Sequence, residues 1–279
     1  MPNIKDEVFL GLRDHYNGKL SKLADLAQPE TWSFGKDREK DPYRILRNYF
    51  QFTYNRLSEE GKILSSKDGL FRSMNTGLLT KYNQEIVAIF TQSKINGEGK
   101  LPWYFNGFFK DTDRYFTSNF EKIPELASYV KNPEDLIYNQ KYEIRVQKEH
   151  VIDDNYDRFV AAGYSSKELI SVLIDSSKST LYKKLVRNFK LALPFYYHNK
   201  ETDEKKIQLL VPLYFPGANV KLAFVLNKLS TGQDFYYEAV TVLPVEWAYM
   251  NARLIVRPDE EWARIIEEVD SVVEEDING

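Results

Sequence analysis

The sequence contains no cysteine. That excludes disulfides, thiolate catalysis and Cys-ligated metal sites. It has three histidines, His15, His150 and His198, and none has the His-Glu-x-x-His spacing of a zinc site. No metal site is expected, and the residues point to no particular cofactor. No stretch approaches the roughly 18 consecutive apolar residues of a membrane-spanning helix. The N-terminus has no basic segment leading into an apolar one, so no secretory leader is expected. A soluble, cytoplasmic chain without membrane contact is the expectation. An excess of positive charge is also missing: 38 Lys and Arg stand against 41 Asp and Glu, a net charge of −3. A globally basic nucleic-acid binder is disfavoured, although a local basic patch is compatible with this balance. Neither phosphate-binding glycine motif occurs, nor does a Gly-x-Ser-x-Gly nucleophile elbow. No internal repeat, low-complexity stretch or interdomain linker is visible.

What is present is apolar and aromatic. The 279 residues are 43% hydrophobic and 14% aromatic, with 19 Tyr and 17 Phe, which rules out a disordered chain. That length can bury a full core. Helical periodicity leads and strand-like segments follow. This order predicts a single α+β domain over residues 1–279, with N-terminal helices packed on a mainly antiparallel sheet and a C-terminal helix. Residues 3–27 carry Val8, Phe9, Leu12, Tyr16, Leu20, Leu23 and Leu26 at helical spacing, weakened at Gly11 and Gly18. Pro42 can open a second helix with Ile45, Leu46, Tyr49, Phe50, Phe52, Thr53 and Leu57 on its apolar face, and Gly61 is suited to cap it.

Residues 70–77 and 84–91 read as paired strands, and residues 142–148 as a further strand. Asn106-Gly107 reads as a hairpin turn. Periodicity is weak over residues 113–140. Residues 165–187 predict a helix with Ser165 or Ser166 as N-cap. Residues 206–215, 220–226 and 235–243 form a strand meander, and residues 254–256 a closing strand. A last helix starts at Pro258, and Glu267, Glu268, Glu274, Glu275 and Asp276 make a solvated acidic tail.

Three constellations carry candidate chemistry. In the first, Arg72, Asn75, Thr76 and Gly77 could hold a phosphate, a base edge or a carboxylate; equally, Asn-Thr-Gly could form a side-chain-braced turn. In the second, Tyr104 and Asn106 offer a stacking surface and an amide, against the turn reading of Asn106-Gly107. In the third, Tyr249, Asn251, Arg253 and Arg257 sit in an aromatic and cationic run. An unbroken strand or helix would bring both guanidiniums to one face, where an anion or an internal carboxylate must separate them. For catalysis, His150 or His198 could act as a base oriented by Asp153 or Asp154; a lone histidine is equally at home as a structural group.

Several of these segments together resemble the family catalogued as domain of unknown function 3825, over roughly residues 20–265. The resemblance rests on Met74-Asn-Thr-Gly-Leu78, which matches an Asn-Thr-Gly-Leu signature with Met in place of Phe. It also rests on Trp32 with Ile45-Leu-Arg-Asn-Tyr49 and Arg56-Leu57, on Ile207-Gln-Leu-Leu-Val-Pro-Leu213, on Ala248-Tyr-Met-Asn-Ala-Arg-Leu254, and on Arg257-Pro258 with Trp262. Members are sometimes fused to RNA-binding modules, so the resemblance implies an RNA-linked role by association. The leading expectation is a domain that binds RNA or a nucleotide through an Arg- and aromatic-lined cleft. The alternatives are an enzyme acting on a phosphodiester or nucleotide, and a protein-interaction module. The last is favoured if Trp103, Tyr104 and Phe105 are exposed.

Overall fold

Seven residues of the second predicted helix, Ile45, Leu46, Tyr49, Phe50, Thr53, Tyr54 and Leu57, are buried. They recur at the three- and four-residue intervals that build one helical face. They belong to α4 (Arg44–Glu59) in a computed structural model that describes residues 3–34, 37–94, 100–199, 201–216, 219–259 and 261–266. Gly61 follows the helix with φ +64°. The Gly61 and Lys62 amides donate to the Ser58 and Leu57 carbonyls at 3.2 and 2.9 Å, a Schellman stop.

The chain divides into two compact units, Met1–Ser128 and Tyr129–Gly279. The boundary falls inside the stretch of weak periodicity over residues 113–140. In the first unit the other helices are α1 (Ile4–Glu7), α2 (Arg13–Leu26), α3 (Asp37–Lys40) and α5 (Arg114–Thr117). Its strands are β1 (Val8–Phe9), β2 (Leu64–Ser65), β3 (Phe71–Leu79), β4 (Glu85–Gln92) and β5 (Trp103–Lys110), in the sheet order β1-β5-β4-β3-β2. All pairs are antiparallel except β1 with β5. The central strand β4 is buried continuously from Ile86 to Phe90, because both sheet faces are covered. On one face Phe50 meets Phe105 and Phe108 with ring centroids 5.2 and 5.0 Å away, and Tyr54 meets Phe90 at 5.5 Å. On the other, Val87 and Ile89 cluster with Phe116 and Phe120.

The second unit holds a sheet ordered β6-β10-β9-β8-β7. Its strands are β6 (Glu143–Val146), β7 (Leu193–His198), β8 (Lys205–Pro212), β9 (Leu222–Thr231) and β10 (Asp234–Pro244). Here only β6 with β10 is parallel. Its helices are α6 (Lys148–Asp154), α7 (Tyr156–Ala161), α8 (Lys167–Arg187) and α9 (Val245–Ala252). Ser166 caps α8 by accepting from the Leu169 amide at 3.1 Å. Residues 261–266 are helical, and the Asp259 carboxylate accepts from the Trp262 amide at 3.3 Å. The α+β class therefore holds, with N-terminal helices on a mainly antiparallel sheet and a C-terminal helix, and the strands form two sheets.

Several local readings change. The helix α4 starts at Arg44 rather than at Pro42, and Phe52 points away from its buried face, 48% exposed. The expected helix over residues 3–27 breaks at Gly11 (φ +102°), and Val8-Phe9 instead pairs with Trp103-Tyr104. Asn106-Gly107 lies inside β5 at a bulge, where Ile89 pairs with Gly107 and Phe90 with Phe105, so it is no hairpin turn. Residues 254–256 form turns rather than a strand, since their amides fold back onto Asn251 and Ala252. β7 is a strand beyond those read from the sequence; it contains Pro194, which an edge strand tolerates. The acidic tail from Glu267 to Asp276 lies outside the described residues.

Candidate functional site

Asn75, Thr76 and Gly77 build a bulge in β3, where pairing with β4 loses register between Asn75 and Leu79. The Asn75 amide group donates to the Glu85 carboxylate at 3.1 Å and to the Pro124 carbonyl at 3.2 Å; its oxygen accepts from the Gly77 amide at 2.9 Å. The Thr76 hydroxyl donates to the Ile86 carbonyl at 2.6 Å and accepts from the Leu78 amide at 3.2 Å. Both amide protons of Asn75 and the hydroxyl proton of Thr76 are thus spent inside the unit. Gly77 has φ +74°, and a Cβ there would lie 2.7 Å from the Tyr49 hydroxyl. That hydroxyl donates to the Thr76 carbonyl at 2.8 Å.

Arg72 lays its guanidinium 4.3 Å from the centroid of the Trp103 ring. Tyr104 is 45% exposed and faces Phe9 at 5.9 Å. The Lys19 ammonium lies 4.8 Å from the Tyr104 centroid and donates to the Phe105 carbonyl. Burial, with Lys22 nearby, lowers the pKa of Lys19. Asn106 accepts from the Thr91 hydroxyl at 2.7 Å and donates to the Tyr115 hydroxyl at 3.0 Å. Of the three aromatics proposed for a protein interface, Trp103 and Phe105 are buried and Tyr104 alone is exposed.

The remaining candidates belong to the second unit. Tyr249 is buried on α9, which also carries Asn251, and Arg253 is the C-cap of that helix. The backbone from Arg253 to Arg257 is a turn followed by an irregular segment. The helical or extended geometry that would have brought the two guanidiniums to one face is therefore absent. Pro258 prevents the helix from continuing and biases the residue before it away from helix. His150 Nδ1 lies 3.2 Å from Asp154 one turn along α6, both exposed, while Asp153 pairs with Lys167 at 2.7 Å. His198 Nε2 lies 2.7 Å from Asp203. That contact and Lys205 hold the Asp203 carboxyl below its ordinary range.

The second unit also contains a cleft of about 580 Å³ between the C-terminal end of α8, the segment after the turn Pro133–Leu136, and strands β9 and β10. Tyr138, Tyr142, Tyr237 and Phe189 give it aromatic walls, and Ile137 and Val186 give it an apolar rim. The Tyr138 and Tyr237 rings stack at 5.1 Å and 22°, and Tyr142 meets Tyr237 at 5.7 Å. Ile137, Val186 and Phe189 are 55%, 44% and 51% exposed, unusual for apolar side chains gathered at one opening. The Tyr237 hydroxyl accepts from the Asn139 amide at 3.0 Å. The Tyr138 hydroxyl is buried without a hydrogen-bond partner among the described residues. Burial, with Tyr237 and Tyr182 nearby, pushes its pKa up to about 12. Burial likewise raises that of Tyr237, so both phenols are neutral at pH 7.

A family model described as domain of unknown function (DUF3825) matches residues 23–262. The chain belongs to that family. No curated protein and no solved structure matches it. The matched DUF3825 region contains the β3 bulge and all the side chains that line the cleft. None of the ligand candidates chosen from the sequence lines this cleft. Tyr138 comes from the weakly periodic stretch, Tyr142 from the edge of the strand predicted over residues 142–148 and Tyr237 from β10, and no local spacing joins segments so far apart. The only sequence signal was compositional, the high tyrosine count.

Proposed function

We propose that this DUF3825 chain binds RNA or a nucleotide, and that the cleft in residues 129–279 receives a base. The cleft itself is the observation that carries this reading. Its volume of about 580 Å³ falls within the roughly 300–1,000 Å³ of small-molecule sites. Aromatic walls with a few polar groups are the arrangement that takes unstacked bases, because every base offers a π-face to a ring. On this reading Tyr142 and Phe189 supply the stacking surfaces, the buried Tyr138–Tyr237 stack backs them, and Asn139 and Gln140 supply amide donors and acceptors. Asn75, Thr76 and Gly77 brace β3 instead. The family's association with RNA-binding modules points the same way.

The test is fluorescence anisotropy of short labelled single-stranded RNAs at low salt, with unlabelled nucleotides as competitors. Saturable binding that nucleotides displace is expected. Absence of saturable binding by RNAs and nucleotides alike refutes the proposal.

A further inference from the structure

The charges around the cleft narrow its ligand. Its lining contains two charged side chains among the described residues, Glu134 and Lys228. Lys228 is already answered: its ammonium lies 3.2 Å from the Asp135 carboxylate and 5.4 Å from the centroid of the Phe235 ring. Glu134 presents a negative charge with no guanidinium beside it on the lining. Phosphate recognition relies on forked guanidiniums, ammonium groups or converging backbone amides. A phosphate entering here would lose water, meet a carboxylate, and compete with Asp135 for the one cation. An uncharged planar ring meets Tyr142 and Phe189, and its edge meets the amides of Asn139 and Gln140.

We infer that the cleft recognises the uncharged base or nucleoside part of its ligand and leaves the phosphate outside. This rests on the base-binding reading above and names the part of the ligand that is read. Two sources share that chemistry, a free nucleoside and an unpaired base presented by RNA. The inference also sets a salt response. A ligand held by its phosphates loses affinity steeply as salt rises, about 0.7 decades per decade of salt for each phosphate contacted in a single strand. A base held by stacking does not.

The experiment is isothermal titration of the full chain with the four ribonucleosides and their 5′-monophosphates, at 50 and 200 mM salt. At least one nucleoside is expected to bind, with its monophosphate within about threefold in affinity and a salt slope near zero. Glu134→Gln should improve the monophosphate relative to the nucleoside by about two- to fivefold, since a like charge is removed. A parallel titration with a single-stranded hexanucleotide separates the sources. Tighter binding than the nucleoside supports the inference with RNA as the source, and equal binding supports it with the free nucleoside. Monophosphates binding tenfold or more above their nucleosides, with a steep salt slope, overturn the inference and leave the base-binding reading standing. No binding by any nucleoside, nucleotide or oligonucleotide overturns both.

Discussion

Replacing Gly77 by alanine should destabilise the first unit through two effects that a second substitution can separate. Gly77 has φ +74°, a left-handed conformation that costs an L-residue about 1 kcal/mol or somewhat more. The new Cβ would also sit 2.7 Å from the Tyr49 hydroxyl, so that hydroxyl must move. In moving it gives up its 2.8 Å bond to the buried Thr76 carbonyl. An unsatisfied buried group costs about 1–3 kcal/mol. Gly77→Ala should therefore cost about 2–4 kcal/mol, and Tyr49→Phe alone about 1–3 kcal/mol. The double variant removes the clashing oxygen, and the next contact for the Cβ is the Tyr49 ring carbon at 4.0 Å. Only the strain and one lost hydrogen bond then remain. The double variant should be about as stable as Gly77→Ala, making the pair less than additive by the Tyr49→Phe cost, about 1–3 kcal/mol. Urea unfolding followed by circular dichroism and tryptophan fluorescence measures all four proteins. Costs that add within about 0.5 kcal/mol, or a Gly77→Ala variant as stable as the parent, would refute the bracing role given to the bulge.

Other substitutions test local parts of the structure. Ser166→Ala removes the α8 N-cap, which accepts from the Leu169 amide at 3.1 Å, and should cost about 1 kcal/mol in chemical unfolding; no measurable change would show that the cap contributes nothing. Glu261 gives a pH prediction. Burial raises its pKa, but hydrogen bonds from Lys184, Asn188 and Tyr214 outweigh that and hold it below the ordinary 4.5. A folded pKa below the unfolded one contributes stability above about pH 4.5, lost as pH falls through the lowered value. Glu261→Gln should therefore flatten the fall in Tm below pH 4.5, and an unchanged acid limb would contradict this.

Some of the fold was legible because its causes are local. The apolar face of α4, its Gly61 stop and the Ser166 cap of α8 each follow from residues within one or two helical turns. Strands β3, β4, β8, β9 and β10 were legible from apolar runs bounded by turn residues. The misread segments have tertiary causes. Val8-Phe9 becomes a strand only because the Trp103-Tyr104 edge lies beside it. Asn106-Gly107 has hairpin chemistry, yet β4 pairs across it and turns it into a bulge. β7 contains Pro194, tolerated because that strand is the sheet edge. The Asn-Thr-Gly segment was visible as special, but choosing between ligand and brace required the partners at Glu85, Pro124 and Tyr49. The cleft was not legible, because Tyr138, Phe189 and Tyr237 come from a loop, a short 3-10 turn and a strand that only the folded chain assembles.

The base-binding cleft is tested most directly by the affinity of a labelled single-stranded RNA for the parent, Phe189→Ala and Tyr142→Ala. Phe189 is 51% exposed, so its truncation should leave the fold intact. Loss of a stacking face costs about 1–3 kcal/mol per base, or roughly 5- to 150-fold in Kd. Both variants, folded by circular dichroism, should weaken binding by at least about fivefold. Folded variants that bind the RNA within about twofold of the parent would contradict a base in this cleft.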